Sequence, residues 1–317
     1  MYFALFLAVF AAGLQPAYLA SADGTTSVAP ADATRLIAPT EKTTTVAAVT
    51  KLPPSRYVDV LEYISESESR TEVIPGSHYE FPSDTYLVVK EVVCDTPVYH
   101  IATVIYLGGM EDAGHVELQN LRQESLFSGM QENVRLVAPV IADSTLNPDR
   151  GWFPFLFETW DDFEGSLATR ASLEQSGEVL QVIIDSEAKR LRGDYSRIFL
   201  AGYSQGAMMA AWIGLMSDKP LGGIVGISGG FPLFDVDKVS DAGSQVVFHH
   251  LHDPHDIYVK YKYAEKGLVA AKAAGARGYT EIHRTEIPND FHHGLSSEVV
   301  EEANAWLVTR LRIDELL

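Results

Sequence analysis

The 317-residue chain has a single cysteine, Cys94, and no Asn-x-Ser/Thr sequence. One cysteine excludes an intrachain disulfide framework and a zinc site built on cysteines, and the missing sequon removes the acceptor for N-glycosylation. Basic residues are also few, because 24 Lys and Arg stand against 43 Asp and Glu, a formal net charge of −19. This balance disfavours nucleic acid and anionic lipid as partners, since both are bound by clustered lysine and arginine.

The first 22 residues carry no charged side chain and are almost entirely apolar from Tyr2 to Leu14. The segment ends in Ala20-Ser21-Ala22, which is typical of a secretory signal peptide cleaved before Asp23. We therefore expect residues 1–22 to be a signal peptide and the protein to enter the secretory pathway or be secreted. No lysine or arginine precedes the apolar run, so an uncleaved N-terminal membrane anchor is the alternative, although the run is short for a span.

Residues 23–55 are rich in Ala, Thr, Ser and Pro without hydrophobic periodicity, which predicts a disordered linker. From residue 56 onward the pattern changes to strands that alternate with helices. Strands are predicted at 101–107, 135–140, 197–201, 224–227, 246–251 and 279–287, and helices at 173–191, 205–216, 257–274 and 297–311. Continuous apolar strands in such an alternation favour a mostly parallel sheet with helices on both faces. The predicted fold is one α/β domain over 56–317, with extra β structure before residue 98.

The pattern G-x-S-x-G occurs at residues 202–206, directly after the apolar strand that ends at Ala201. A helix is predicted immediately afterwards, so the motif stands in the strand–turn–helix context that its chemistry requires. The two glycines let strand and helix approach closely, and the N–H groups at the helix N-terminus face the developing oxyanion. The motif therefore predicts Ser204 as a nucleophile.

A serine nucleophile needs a histidine base and an acid that orients it, in the chain order Ser, acid, His. Asp253 and Asp256 both follow the predicted strand 246–251, and Asp235 is a more distant candidate. His292 and His293 both lie between the last predicted strand and helix. The residues alone leave the acid and the base open among these candidates.

At these motifs the chain resembles the α/β-hydrolase family of acyl-protein thioesterases, carboxylesterases and phospholipases, over roughly residues 101–312. Segment 202–207 resembles the family's G-F-S-Q-G-G/A, and 252–259 its H-G-x-x-D-x-x-V. Segment 293–298 resembles H-x-I/L-S-x-E, and 107–112 resembles L-H-G-L-G-D. The resemblance implies an α/β-hydrolase fold and hydrolysis of a carboxylic ester or thioester without a cofactor.

The same resemblance assigns roles to individual residues. It implies Ser204 as nucleophile, Asp256 as acid and His293 as base, with the backbone N–H groups of Met110 and Gln205 as oxyanion donors. The resemblance also implies small esters, lysophospholipids or acylated proteins as substrates. It implies neither the oligomeric state nor the preferred acyl-chain length.

The chain departs from the family pattern at three positions: Gly108 replaces a histidine, Glu111 a glycine and Asp253 another glycine. A carboxylate at Glu111, beside the oxyanion donors, would oppose the charge that they must stabilise.

Three aromatic residues lie in a long irregular stretch before the central helices, namely Trp152, Phe153 and Phe155. The first two resemble a Trp-Phe element of the family, and we expect all three to line the acyl pocket.

Two other classes of function compete with serine chemistry. Four histidines and two aspartates lie between His249 and Asp256, and such a cluster could make a metal-dependent hydrolase. In a strand, His250 and His252 would share one face while His249 points to the other, so packing beneath the site is the simpler expectation and no metal is predicted. The third possibility is a non-catalytic acyl-binding module on a hydrolase scaffold.

Overall fold

The computed structural model describes residues 70–75, 89–96, 100–110, 134–141, 151–153, 170–232 and 236–316. The predicted signal peptide, the linker, Glu111, Phe155 and Asp235 lie outside these residues, and what the sequence predicts for them stays a prediction.

One sheet of eight strands is present within the described residues. Its strands are β1 (Arg70–Pro75), β2 (Val89–Thr96), β3 (Ala102–Leu107), β4 (Val134–Ile141), β5 (Ile198–Tyr203), β6 (Gly223–Ile227), β7 (Phe248–His252) and β8 (Ile282–Arg284). The order across the sheet is β1-β2-β4-β3-β5-β6-β7-β8. The six strands β3 to β8 run parallel to one another, whereas β1 and β2 form an antiparallel extension at one edge.

In the ranges that the structure describes, four α-helices cover the sheet: α1 (Arg170–Arg190), α2 (Gln205–Met216), α3 (Tyr261–Ala273) and α4 (Ser297–Leu316). Successive side chains of a strand point to opposite faces, and β5 shows the consequence. Ile198 and Leu200 join the core formed with α1, α2 and α3, whereas Phe199 and Ala201 join the core formed with α4. The prediction of a mostly parallel α/β sheet with helices on both faces is confirmed.

Two element boundaries differ from the sequence predictions. The helix predicted over 257–274 begins at Tyr261, because the amides of Tyr258 and Val259 donate to the Asp256 carboxylate instead of continuing a helix. The strand predicted over 279–287 is limited to Ile282–Arg284. The amide of Ile287 donates to Asp253 rather than to a neighbouring strand.

No helix in the described part of the chain is long and apolar enough to cross a membrane.

A buried ion pair ties α1 to the sheet. Arg135 on β4 and Glu187 on α1 are 2% and 1% exposed, and Nε of Arg135 lies 3.0 Å from Oε2 of Glu187. The Thr103 hydroxyl donates to the same oxygen at 3.3 Å and lies 2.7 Å from Nε2 of His100. Burial, followed by the Arg135 charge, lowers the pKa of His100 to about 3. His100 is therefore uncharged at neutral pH, and Glu187 is the carboxylate that pairs with Arg135.

Removing the buried carboxylate should destabilise the protein strongly. Glu187→Ala breaks this buried ion pair by removing one partner, and we expect a loss of about 3–5 kcal/mol in the free energy of unfolding. Glu178→Ala, at an exposed position of the same helix, should change it by less than about 0.5 kcal/mol. Urea denaturation of the two variants measures the difference, and equal effects would contradict the account of this ion pair.

Candidate active site

Ser204 lies between β5 and α2 in a backbone conformation that is unusual for a residue with a side chain. Its φ is 54° and its ψ is −121°, a sparsely populated region that persists only where neighbouring contacts enforce it. Here its amide donates to the Ile227 carbonyl at 2.9 Å, and its own carbonyl accepts from the amides of Ala207 and Met208. These bonds connect the turn to β6 on one side and to the first turn of α2 on the other.

Glycine is required on both sides of this turn because of close backbone approaches. A Cβ at Gly202 would collide with the backbone of Gly206, and a Cβ at Gly206 would collide with the carbonyls of Leu107 and Gly108. The chain after β3 therefore packs directly on the first turn of α2. This contact brings the segment that ends at Met110 close to the turn that carries Ser204.

Gln205 has a second role that the sequence did not reveal. Its side chain is fully buried, accepts from the Trp152 amide at 2.6 Å and donates to the Phe153 carbonyl at 2.8 Å. The Trp152 indole in turn donates to the Gly108 carbonyl at 2.9 Å, and the Ser176 hydroxyl donates to the Trp152 carbonyl. The loop after β3, the Trp-Phe segment and the helix start thus form one hydrogen-bonded unit.

Of the three residues predicted to line an acyl pocket, Trp152 and Phe153 are each 1% exposed and belong to the core on the side of α1. Their burial is that of core residues, and Phe155 lies outside the described part of the chain. The pocket assignment stays a prediction.

The structure pairs one aspartate and one histidine of the sequence candidates. Nδ1 of His293 lies 2.6 Å from Oδ2 of Asp256, and both side chains are almost completely buried. The other oxygen of Asp256 accepts from the amides of Tyr258 and Val259, each at 2.9 Å. Those two bonds fix the carboxylate, so that its remaining oxygen faces the imidazole.

His293 lies next to the turn that carries Ser204. Its ring is 5.0 Å from the Tyr203 ring and 5.4 Å, edge to face, from the Tyr258 ring. The Asn289 side chain holds the backbone of His293, since its amide donates to the His293 carbonyl at 3.0 Å and its oxygen accepts from the His293 amide at 3.3 Å.

Asp253, the competing acid, is buried and pairs with the competing histidine instead. Its Oδ2 accepts from the Ile287 amide at 2.7 Å and lies 3.1 Å from Nδ1 of His292, while Oδ1 accepts from the His255 amide at 2.8 Å. Burial by itself would raise the pKa of Asp253, but the amides of Ile287 and His255 and the His292 side chain bring it below its ordinary value. Asp253 therefore stays ionised, and it joins the loop after β7, which contains His255, to the loop before α4, which contains Ile287 and His292.

Two histidines of β7, His250 and His252, belong to a chain of hydrogen bonds on one face of the sheet. Nε2 of His252 donates to the Val259 carbonyl at 2.7 Å, so its Nδ1 accepts from Nε2 of His250 at 3.3 Å. Nδ1 of His250 then accepts from the Tyr279 hydroxyl at 2.5 Å. Burial lowers the pKa of both histidines, which keeps them neutral. Nε2 of His252 also lies 3.4 Å from Oδ2 of Asp256.

His249 points to the opposite face of the sheet, as the strand alternation predicts. Its ring stacks on Trp306 at 5.4 Å and 6°, and burial, with a further effect of His283, lowers its pKa to about 4. The three histidines of β7 are therefore divided between two faces of the sheet, with His250 bonded to His252 on one face and His249 stacked on Trp306 on the other. These three imidazoles therefore do not meet at a common ion, which does not favour a metal-dependent hydrolase built on the histidines of β7.

Comparisons with known proteins identify the family. A family model described as Phospholipase/Carboxylesterase matches residues 89–307. An acyl-protein thioesterase 1 of Gibberella zeae is 28% identical over 232 residues, covering 67% of this chain and 92% of that protein. An acyl-protein thioesterase 1 homologue of Dictyostelium discoideum is 24% identical over 185 residues, covering 56% of this chain and 79% of that protein.

Solved structures share the fold at lower identity. The protein TT1662 of Thermus thermophilus superposes with a TM-score of 0.53 at 21% identity, covering 77% of this chain and 99% of that one. SOBER1 of Arabidopsis thaliana gives 0.52 at 20% identity, covering 66% and 99% respectively.

The fold is that of the α/β-hydrolases. The chain belongs to their phospholipase/carboxylesterase family, and it is an enzyme of the esterase and thioesterase type.

The two buried aspartates should respond differently to loss of charge. Asp256→Asn removes the anion that faces His293 and should lower kcat by about 10⁴, the effect of the equivalent change in serine proteases. Asp253→Asn should lower mainly the free energy of unfolding and cost much less in kcat, because its oxygens hold backbone amides. Ester turnover and urea denaturation of both variants measure these two effects. If Asp253→Asn lowered kcat more than Asp256→Asn does, Asp253 would be the acid of the site.

Proposed function

We propose that the enzyme hydrolyses carboxylic esters or thioesters through a covalent acyl-enzyme on Ser204. The observation that carries this proposal is the 2.6 Å contact between His293 and Asp256, both buried beside the strained turn at Ser204. A fixed acid, a histidine and a serine held in this order form the functional unit of serine hydrolases.

The first chemical step is acylation. Because Nδ1 of His293 donates to Asp256, the lone pair of its Nε2 is available to accept the proton of the Ser204 hydroxyl. The serine oxygen then bonds to the acyl carbon, and negative charge develops on the carbonyl oxygen. The backbone N–H groups of Gln205, at the start of α2, and of Met110, after β3, are the donors that would stabilise this charge.

Collapse of the tetrahedral intermediate completes the transfer. His293 gives its proton to the departing alcohol or thiol, which leaves the acyl group bonded to Ser204. A water molecule then attacks the acyl carbon with His293 again as base, and the carboxylic acid and free serine are released. The charge of Asp256 stabilises the imidazolium in both steps.

An acyl chain is the substrate group that the surroundings favour. Ile257, directly after Asp256, is 47% exposed, and Phe291 lies against Tyr258 with ring centroids 5.4 Å apart. Apolar side chains at the rim of the site can cover an acyl chain. Because the matched relatives from Gibberella and Dictyostelium are named acyl-protein thioesterases, we propose acylated proteins as substrates, with lysophospholipids and small esters as the alternatives.

The decisive change is removal of the serine hydroxyl. Ser204→Ala should lower kcat for a p-nitrophenyl ester by about 10⁶, as expected when the three residues act as a unit. Ser297→Ala, which removes an exposed serine at the start of α4, should leave kcat unchanged. Turnover should also survive treatment with EDTA, since the mechanism uses no metal ion.

A metal-dependent hydrolase would give the opposite results. Chelation would abolish turnover, zinc would restore it and Ser204→Ala would have a mild effect. A non-catalytic acyl-binding module would show no turnover above background with either variant. Either result would overturn the proposed function, and comparing p-nitrophenyl esters of different chain lengths would identify the preferred acyl group.

A further inference from the structure

Asp253, His255 and His292 bring three metal-ligand side chains together next to the proposed catalytic pair. Oδ1 of Asp253 lies 3.3 Å from Nδ1 of His255, and Oδ2 lies 3.1 Å from Nδ1 of His292. One ligand atom from each residue lies within 4.8 Å of the other two, and no other such group occurs in the described part of the chain. The proposed hydrolysis uses none of these three side chains.

We propose that these three residues bind a zinc ion. Two imidazoles and one carboxylate form a ligand set that zinc takes in proteins, with the fourth position left to water. At zinc–ligand distances of about 2.0–2.1 Å, the ligand atoms of a tetrahedral site lie about 3.3 Å apart. Each imidazole nitrogen already has about this spacing from one oxygen of Asp253, His255 from Oδ1 and His292 from Oδ2. Because one oxygen ligates the ion, side-chain movements must bring both nitrogens to about 3.3 Å from that oxygen and from each other, starting from separations of at most 4.8 Å.

Burial and exposure in this cluster are divided as a binding site requires. The Asp253 side chain is 0% exposed, and backbone amides of Ile287 and His255 hold its two oxygens. Such bonds fix the orientation of a ligating carboxylate. The His255 and His292 side chains are 74% and 42% exposed. An ion can therefore enter from solvent, and the exposed His255 ring can rotate to close the site.

Binding through Nδ1 requires one particular tautomer of both imidazoles. Nδ1 of His292 is placed to donate to Oδ2 of Asp253, and Nδ1 of His255 lies in contact with Oδ1 at 3.3 Å. Ligation needs their lone pairs, so each ring must carry its remaining proton on Nε2. Zinc then replaces the His292–Asp253 hydrogen bond and the His255–Asp253 contact with three bonds to one ion.

The expected consequence is a clamp between two loops. Asp253 and His255 belong to the loop after β7, which also carries Asp256, and the Asp256 amide donates to the Asp253 carbonyl at 3.1 Å. His292 directly precedes His293 in the loop before α4. An ion held by both loops would stabilise the folded protein without entering the hydrolytic steps, so this inference does not depend on the proposed function.

Zinc titration of the EDTA-treated full chain, by calorimetry and by thermal unfolding, tests the site. The wild-type protein should bind about one equivalent of Zn²⁺ and show a raised Tm, because a ligand that binds only the folded state stabilises it. His255→Ala should weaken binding by about 100-fold or more, since even changes behind a ligand cost 10–100-fold. The rise in Tm should then disappear at the same zinc concentration.

Two further variants make the result specific. His292 has a φ of 53°, a conformation that glycine adopts readily, so His292→Gly removes the ligand without backbone strain and should abolish binding as well. The control is His283→Ala, which removes a half-exposed histidine near Glu281 and Glu302. This variant should bind zinc with the affinity of the wild-type protein. Absence of saturable binding to the wild type, or binding that survives both His255→Ala and His292→Gly, would overturn the proposal.

Discussion

The carboxylate of Asp256 is the group around which the candidate site is arranged. One of its oxygens accepts hydrogen bonds from two backbone amides of the segment after β7, and the other accepts a hydrogen bond from Nδ1 of His293 at 2.6 Å. A buried carboxylate is stable only when its lone pairs are used in this way. Because the amides of Tyr258 and Val259 bond to this carboxylate, they are not part of a helix, and α3 begins only at Tyr261. The local chain path follows from this one requirement.

The parallel sheet brings the remaining parts of the site together. β5 ends at the turn with Ser204, and its neighbours β3 and β6 contact that turn through Leu107 and Ile227. The carboxyl ends of adjacent parallel strands lie at one edge, which is where such folds place their ligands. The buried side chain of Gln205 then fixes the Trp-Phe segment against the loop that leads to Met110.

Much of this arrangement follows from local sequence patterns. The glycines around Ser204 report close backbone approach, the apolar runs report strands buried on both faces, and the alternation along β7 separates His249 from His250 and His252. These features depend on residues close together in the chain. Strand–helix order and family resemblance also selected Asp256 and His293, which the structure brings together.

Other features depend on contacts between distant segments and have no local signal. The Gln205 side chain, the pairing of Asp253 with His292 and the ion pair of Arg135 with Glu187 each join residues more than 35 positions apart. The short strand β8 also depends on a contact between distant segments, because the Ile287 amide donates to Asp253 and not to a neighbouring strand. A sequence pattern shows that such polar groups need partners, but only the folded chain identifies them.

The central claim is that Ser204 becomes covalently bonded to the acyl group, and a fluorophosphonate probe tests this most directly. After incubation of the full chain with the probe, digestion and mass spectrometry should locate one adduct on the peptide that contains Ser204. Prior treatment with EDTA should not prevent labelling, because His293 and Asp256 activate the serine without a metal ion. Activity that persists while Ser204 remains unlabelled, and that chelation abolishes, would contradict the account.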